Sequence, residues 1–385
     1  MKLCRRNSAA LACLSSFRGG RVQMTGTVSG LIFVTIAGVA NAAFALPMKY
    51  ARRWAWENIW LAWTLFALLL LPAVAAFMTV PSLGAVYRDA GPGVVAVVML
   101  CGAGWGLAQV LFGLSIDAIG IGLTFSIVLG VSAAIGSLIP LLRLQSASLE
   151  FSGAGPILWG VALVLAGVFL CAVAGRMRER AHAAKERRGK PFGLGLAMAL
   201  CSGLCAASMN FGVSFGRPLL QSAAARGTAA HEVVNAVWFP LLAAGAIPNA
   251  AYCVYLLTRK RTWGNFRSPQ TPAYLAMAMV MAVLWFFSTA LYGVATTRLG
   301  ELGTVVGWPV FMSLIVVTAG VLGMTTGEWK HSGRMPLALQ LAGMLLLVIA
   351  VITLSRAQSR SIASPRLNST SQPTMRPVAH KQEAS

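Results

Sequence analysis

Asp117, Glu232 and Glu301 are the carboxylates best placed in this chain to carry a proton, because each stands at the edge of a long apolar stretch. A proton-moving device inside a membrane needs a titratable group that changes its access from one side to the other, and such groups within spans are functional by default. The remaining acids, Glu57, Asp89, Glu150, Glu179, Glu186, Glu328 and Glu383, fall in connections, at the ends of apolar stretches or near the C-terminus, as do His182, His231, His331 and His380. No acid occupies the middle of an apolar stretch. Asp117 and Glu301 read as the starts of helices 4 and 9, and Glu232 as the start of helix 7. A carboxylate beside a helix N-terminus is favoured by the dipole by about 0.3–1 kcal/mol, so a capping role competes with a coupling role at all three. Glu57 follows Trp56 at an apolar edge, where an ion pair with Arg52 or Arg53 accounts for it.

Other chemistry is sparsely supplied. Cys201 and Cys205 lie four apart on one helical face, but the seven cysteines are scattered and give neither a zinc nor a disulfide pattern. An enzyme needs general acids, bases or metal ligands grouped at one place. No such grouping, carboxylate pair or phosphate-cradling glycine loop is present, so the reading is no enzyme, no metal and no cofactor.

The elements that must hold these groups are membrane spans. Hydrophobic residues make up 57% of the chain and charged residues 11%. About 20 apolar residues are needed for a helix to cross a hydrocarbon core, and uninterrupted apolar runs exclude the alternation of a transmembrane barrel. The predicted fold is all-α and integral to the membrane, with ten helices near 26–48, 57–79, 93–113, 118–142, 154–174, 191–215, 232–257, 272–296, 302–325 and 335–355. Residues 1–23 carry Lys2, Arg5 and Arg6 before a weak apolar stretch and read as an N-terminal extension, with translation expected from Met24. Residues 356–385, rich in Ser, Pro, Arg and Gln, read as a disordered tail.

Basic residues set the orientation. Lys49, Arg52 and Arg53 follow helix 1; Arg176, Arg178, Arg180, Lys185, Arg187, Arg188 and Lys190 fill a basic loop at 175–190; Arg259, Lys260, Arg261 and Arg267 follow helix 7; Lys330 and Arg334 follow helix 9. The other loops carry only Arg88, Arg143, Arg217, Arg226 and Arg298. Positive residues stay on the cytoplasmic side, which puts both termini outside. These loops, the tail and their contact with anionic lipid account for the net charge of +21. No aromatic-interleaved basic domain is present, so nucleic acid is not an expected partner. Trp54, Trp56, Trp60, Trp263 and Trp329 flank cytoplasmic loops and are expected in the interfacial belt.

A slide of 180 residues superimposes Trp105 on Trp285, Leu111 on Leu291, Phe112 on Tyr292, Gly113 on Gly293, Gly120 on Gly300 and Thr124 on Thr304. At a shorter offset, residues 37–43 match 202–208. Two five-helix repeats, 24–174 and 191–355, follow. An odd number of spans inverts one repeat relative to the other, which is the plan of alternating-access carriers with a site near the midplane.

Residues 46–63, LPMKYARRWAWENIWLAW, together with Gly104-Trp105-Gly106, Gly113-Leu114, Gly120-Ile121-Gly122, Gly327-Glu328-Trp329-Lys330 and Gly333-Arg334-Met335-Pro336, resemble the L-rhamnose–proton symporter family. The similarity extends from about Gly26 to Ser355. It implies the drug/metabolite transporter superfamily, ten helices, and import of a neutral deoxyhexose with protons across the bacterial inner membrane; taken with the charge asymmetry, both termini are then periplasmic. A neutral sugar offers hydroxyls to amides and hydroxyl groups, and a C–H face to an aromatic ring. The side chains within spans that fit are Asn41, Trp105, Gln109, Asn210, Trp285, Thr289, Tyr292 and Trp308, with Ser214, Asn249, Tyr252, Ser288 and Ser313 beside them. Gln109 follows Trp105 by one turn, and Thr289 follows Trp285 by one turn, so each pair shares a face. Interhelical hydrogen bonding is the competing role for every buried amide. The missing mid-span acid leaves facilitated diffusion or sodium coupling open, as well as export of small metabolites or a sensor or scaffold role.

Overall fold

The computed structural model describes residues 26–119, 121–147, 154–182, 192–327, 329–330 and 332–363. These residues form helices and no strand. Helix α1 covers 26–43. Helix α2 (Trp56–Thr64) passes through one π-helical stretch, Leu65–Leu70, into α3 (Leu71–Thr79). Pro72 explains the stretch: it has no N–H to give to Leu68, and the wider turn absorbs the misfit. Then follow α4 (Leu83–Ala90), α5 (Pro92–Ile119), α6 (Ile121–Ala147), α7 (Ala154–His182), α8 (Phe192–Ala206), α9 (Ser208–Phe215), α10 (Arg217–Ala225), α11 (Asn235–Arg259), α12 (Thr271–Arg298), α13 (Gly303–Thr325) and α14 (Arg334–Ala363).

Among the described residues, ten stretches are long and apolar enough to cross a membrane, from Gly26–Met48 to Arg334–Gln358. Each coincides with a span read from the sequence. Their outward faces carry large apolar side chains, with Leu100 and Trp159 both 72% exposed. Lipid is the solvent such a surface requires. Helices α5 and α6 overrun their expected ends by six and five residues, α7 continues eight residues into the basic loop, and α14 continues eight residues into the segment assigned to the tail.

Helix α5 packs on α8, α9 and α11 along one side and keeps Leu100 and Leu107 exposed on another. It can approach α11 closely because Gly102 and Gly106 have no side chain. A Cβ at Gly102 would run into the Leu241 carbonyl, and one at Gly106 into the Gly245 carbonyl. Helices α2 and α3 pack between α11 and α12, α6 lies against α7, α8 and α13, and α14 lies along α7.

Three expectations change. Asp117 does not start a helix: α5 runs on to Ile119, so Asp117 sits in its last turn, where the dipole disfavours a carboxylate; its side chain lies outside what is described. Trp54 and Trp60 turn toward protein rather than lipid. Trp54 is buried and donates to the Asn265 carbonyl at 3.1 Å, while Trp60 donates to Asn249 Oδ1 at 3.3 Å. Trp56 and Trp263 remain exposed.

Candidate functional site

The centre of the bundle is aromatic. Trp105 on α5 and Trp285 on α12 face each other with ring centroids 5.4 Å apart and planes at 31°. Trp63 on α2 meets the Trp285 ring edge-on at 5.3 Å. From there the rings continue toward the start of α2, Trp63 to Trp60 at 4.6 Å and Trp60 to Trp56 at 5.2 Å, with Phe44 5.7 Å from Trp63. Local sequence makes this possible. Trp105 stands among Gly102, Gly104 and Gly106, so its indole reaches the α11 backbone beside Gly245.

Polar groups around this core are left without protein partners. The Trp63 indole N–H is buried and unpaired. So is the hydroxyl of the adjacent Thr64. Gln109 is half-buried and Thr289 buried, and neither side chain hydrogen-bonds to another described residue. Asn41 on α1 donates to Ser288 Oγ at 2.8 Å, next to Thr289. Buried polar groups are nearly always paired, so the unpaired Trp63 indole and Thr64 hydroxyl beside the three rings stand out, as do those of Tyr87, Thr228 and Trp238 elsewhere in the bundle. The sequence pointed to the pairs Trp105–Gln109 and Trp285–Thr289. It missed Trp63, whose place among Trp54, Trp56 and Trp60 makes it look like one more edge residue; its position one helical turn inward of Trp60 was the available signal.

A second cluster holds Asn210, Tyr292 and Trp308. Asn210 on α9 donates to the carbonyls of Gly136 at 2.8 Å and Thr304 at 2.9 Å, and accepts from the Tyr292 hydroxyl at 2.5 Å. Trp308 donates to the Ser132 carbonyl at 3.0 Å, and Tyr292 stacks on Phe311 at 4.9 Å. Both N–H donors of the amide are used within the protein. The cluster ties α6, α9, α12 and α13 together.

The acids occupy varied places. Glu232 lies in the turn before α11, partly exposed and 3.8 Å from His231 Nε2. Glu301 is exposed in the 3₁₀ turn Gly300–Leu302, where its carbonyl accepts from Arg217 at 3.1 Å. Glu57 departs from its expected pairing with Arg52 or Arg53. Its side chain is 0% exposed and joins Lys260 Nζ at 3.1 Å and Thr262 Oγ1 at 2.8 Å, groups that follow α11. Arg53 turns instead to Gln270 at 3.3 Å. Among the described residues, no three His, Cys, Asp or Glu side chains gather as a metal site.

Ten apolar spans around an uncharged aromatic and amide centre define a multi-pass carrier of small molecules. The chain belongs to the L-rhamnose–proton symport protein family, whose model matches residues 24–358. It is 26% identical over 330 residues to the L-rhamnose–proton symporter of Cronobacter sakazakii, covering 83% of this chain and 95% of that one. Against the protein of the same name from Mannheimia succiniciproducens the identity is 27% over 339 residues, covering 85% and 97%.

Proposed function

We propose that this chain imports L-rhamnose, or a closely related neutral deoxyhexose, with protons across the bacterial inner membrane. The observation that carries the substrate class is the Trp63–Trp105–Trp285 core with its unpaired indole, amide and hydroxyl groups. A sugar C–H face would lie on an indole while its hydroxyls accept from the Trp63 N–H and bond to Gln109 and Thr289. Asn41 would hold Ser288, and so the Thr289 turn, in register. Asn210, Tyr292 and Trp308 are assigned to fixing helices around the site, because their hydrogen bonds are already made.

Two inverted halves are part of this reading, as in the drug/metabolite plan. Packing partners support them: α5 lies on α11 as α12 lies on α2, and α6 lies on α7 as α13 lies on α14. Small-residue contacts agree as well, one at the 180-residue offset and a second displaced by one helical turn. A Cβ at Gly30 would meet Leu299 at 2.9 Å, and one at Gly195 would meet Ile119 at 2.6 Å. A Cβ at Gly38 would meet Leu314 Cβ at 2.6 Å and the Phe311 carbonyl at 3.5 Å. One at Gly203 would meet Val131 Cβ at 2.7 Å and the Val128 carbonyl at 3.2 Å. The repeat-related Trp105 and Trp285 touch each other, as residues beside an axis between halves would. The basic residues support periplasmic termini.

Uptake of labelled L-rhamnose into proteoliposomes, with and without an inward proton gradient, tests the function. Gradient-driven accumulation is the expected result. Equilibration without accumulation would reduce the activity to facilitated diffusion unless a sodium gradient restores it, and no uptake would overturn the substrate.

A further inference from the structure

The end of the bundle where α2 begins is closed by bonds between two distant segments, 53–58 and 260–270. Asn58 Nδ2 donates to the Thr262 carbonyl at 3.0 Å, Asn265 Nδ2 donates to Asn58 Oδ1 at 3.0 Å, and Trp54 and Arg53 add the bonds to Asn265 and Gln270 described above. Glu57 lies at the heart of this closure, with Lys260 and Thr262 on its carboxylate. The opposite end has a counterpart. Arg226, beyond α10, pairs with Asp89 at the end of α4, and Ser222 donates to the same carboxylate at 3.4 Å. In the two-repeat reading these closures are equivalent, each joining the loop after the first span of one half to the loop after the second span of the other.

They differ in kind. The side chains of Arg226 and Asp89 are 35% and 50% exposed, and an exposed ion pair contributes little and parts easily. Glu57 is fully enclosed while the closure holds, and its ionised carboxylate takes the Lys260 ammonium and the Thr262 hydroxyl from the facing segment. A proton on the carboxylate removes the ionic part of that hold and so weakens the closure. Resting on the rhamnose–proton reading, we propose that Glu57 is the residue at which the co-transported proton binds to release the cytoplasmic closure. The proton, drawn from periplasmic water, forms an O–H bond on the carboxylate. Lys260, already half exposed, keeps its protons and turns to water as the segments part. Once the end is open the O–H bond breaks, the proton leaves to cytoplasmic water, and the carboxylate re-forms its pair with Lys260 on closing.

The surroundings suit this path. Asn249 and Cys253 precede Lys260 on one face of α11, and Asn249 holds the Trp60 indole, so polar groups lead from the aromatic centre to Glu57. The charged and titratable groups facing the carboxylate are the Lys260 ammonium and the Cys253 thiol from α11, with the Thr262 hydroxyl beside them. From α12, Tyr274 packs its ring 5.5 Å from Trp54, and on Glu57's own side Arg53 is engaged by Gln270.

The experiment uses the full chain in proteoliposomes, with labelled L-rhamnose as probe and three variants, Glu57→Gln, Glu57→Asp and Lys260→Gln. Glu57→Gln is expected to keep rhamnose exchange at equal pH but to lose accumulation under a proton gradient, its inside-to-outside ratio falling to one; Glu57→Asp should restore accumulation. Lys260→Gln, which removes the cation that opposes protonation, should carry gradient-driven uptake to higher external pH by about 1–3 units. Accumulation by Glu57→Gln equal to the unsubstituted protein overturns the proposal, as does an unshifted profile for Lys260→Gln should the first variant not fold. If the unsubstituted chain itself exchanges rhamnose without accumulating it, the symport reading falls instead.

Discussion

In the proposed site, Trp63 offers a single unpaired N–H. The indole is buried, lies edge-on to Trp285, and has no acceptor. Replacing it with Phe keeps an aromatic surface and removes only the donor. A hydrogen bond contributes about 0.5–1.5 kcal/mol net, so KM for rhamnose should rise about 2–10-fold with turnover little changed; an unchanged KM would remove Trp63 from the substrate contacts. Asn210 predicts the opposite division of effects. Asn210→Ala leaves the Tyr292 hydroxyl and two carbonyls without their partner, at about 1–3 kcal/mol for each buried group left unsatisfied. Thermal unfolding in detergent should move down by several degrees, while KM of the surviving protein stays close to that of the unsubstituted chain. A raised KM with an unmoved unfolding temperature would return Asn210 to the substrate.

Helices α5 and α11 show how an element places the site. Their backbones approach at Gly102 and Gly106, and that approach sets Trp105 opposite Trp285. Gly102→Val puts a branched side chain where the Leu241 carbonyl lies, so the helices must separate or the protein must fail to assemble. Loss of the monodisperse peak in size-exclusion chromatography, or loss of transport in protein that does fold, is the expected outcome; normal uptake would mean the contact does not set the site. The spans themselves were legible, because a run of apolar residues bounded by charge, Gly or Pro is a local signal that lipid imposes directly. Trp105 with Gln109 and Trp285 with Thr289 were legible for the same reason, since helical spacing puts each pair on one face. Trp54, Trp60 and Glu57 were not. Their partners, Asn265, Asn249 and Lys260, lie about 200 residues away, and nothing in the 53–60 segment alone says that another loop folds over it. Asp117 misled because the break between α5 and α6 falls a few residues later than the apolar pattern implies.

At the scale of the whole molecule, the two closures must face opposite sides of the membrane for the carrier to alternate. Lys49, Arg52, Arg53, Arg259, Lys260, Arg261 and Arg267 gather at the Glu57 end, whereas the Asp89 end has fewer cations, among them Arg88, Arg217 and Arg226. In the proposed orientation, the positive-inside rule puts the buried closure on the cytoplasmic side. Two single cysteines, introduced after the seven native ones are replaced, test it: one in place of exposed Arg267 beside the buried closure, the other in place of exposed Ala229 beyond α10. An impermeant maleimide added to intact cells should label the Ala229→Cys protein and spare Arg267→Cys until the membrane is opened. Sugar bears on the same measurement. If rhamnose and a proton together favour the state with the Glu57 end apart, saturating rhamnose at low pH should speed labelling of Arg267→Cys in inside-out vesicles and slow that of Ala229→Cys in intact cells. Reversed sidedness would invert the import assignment while leaving the fold intact. Labelling indifferent to sugar at both positions would mean that the closures do not move with the transport cycle.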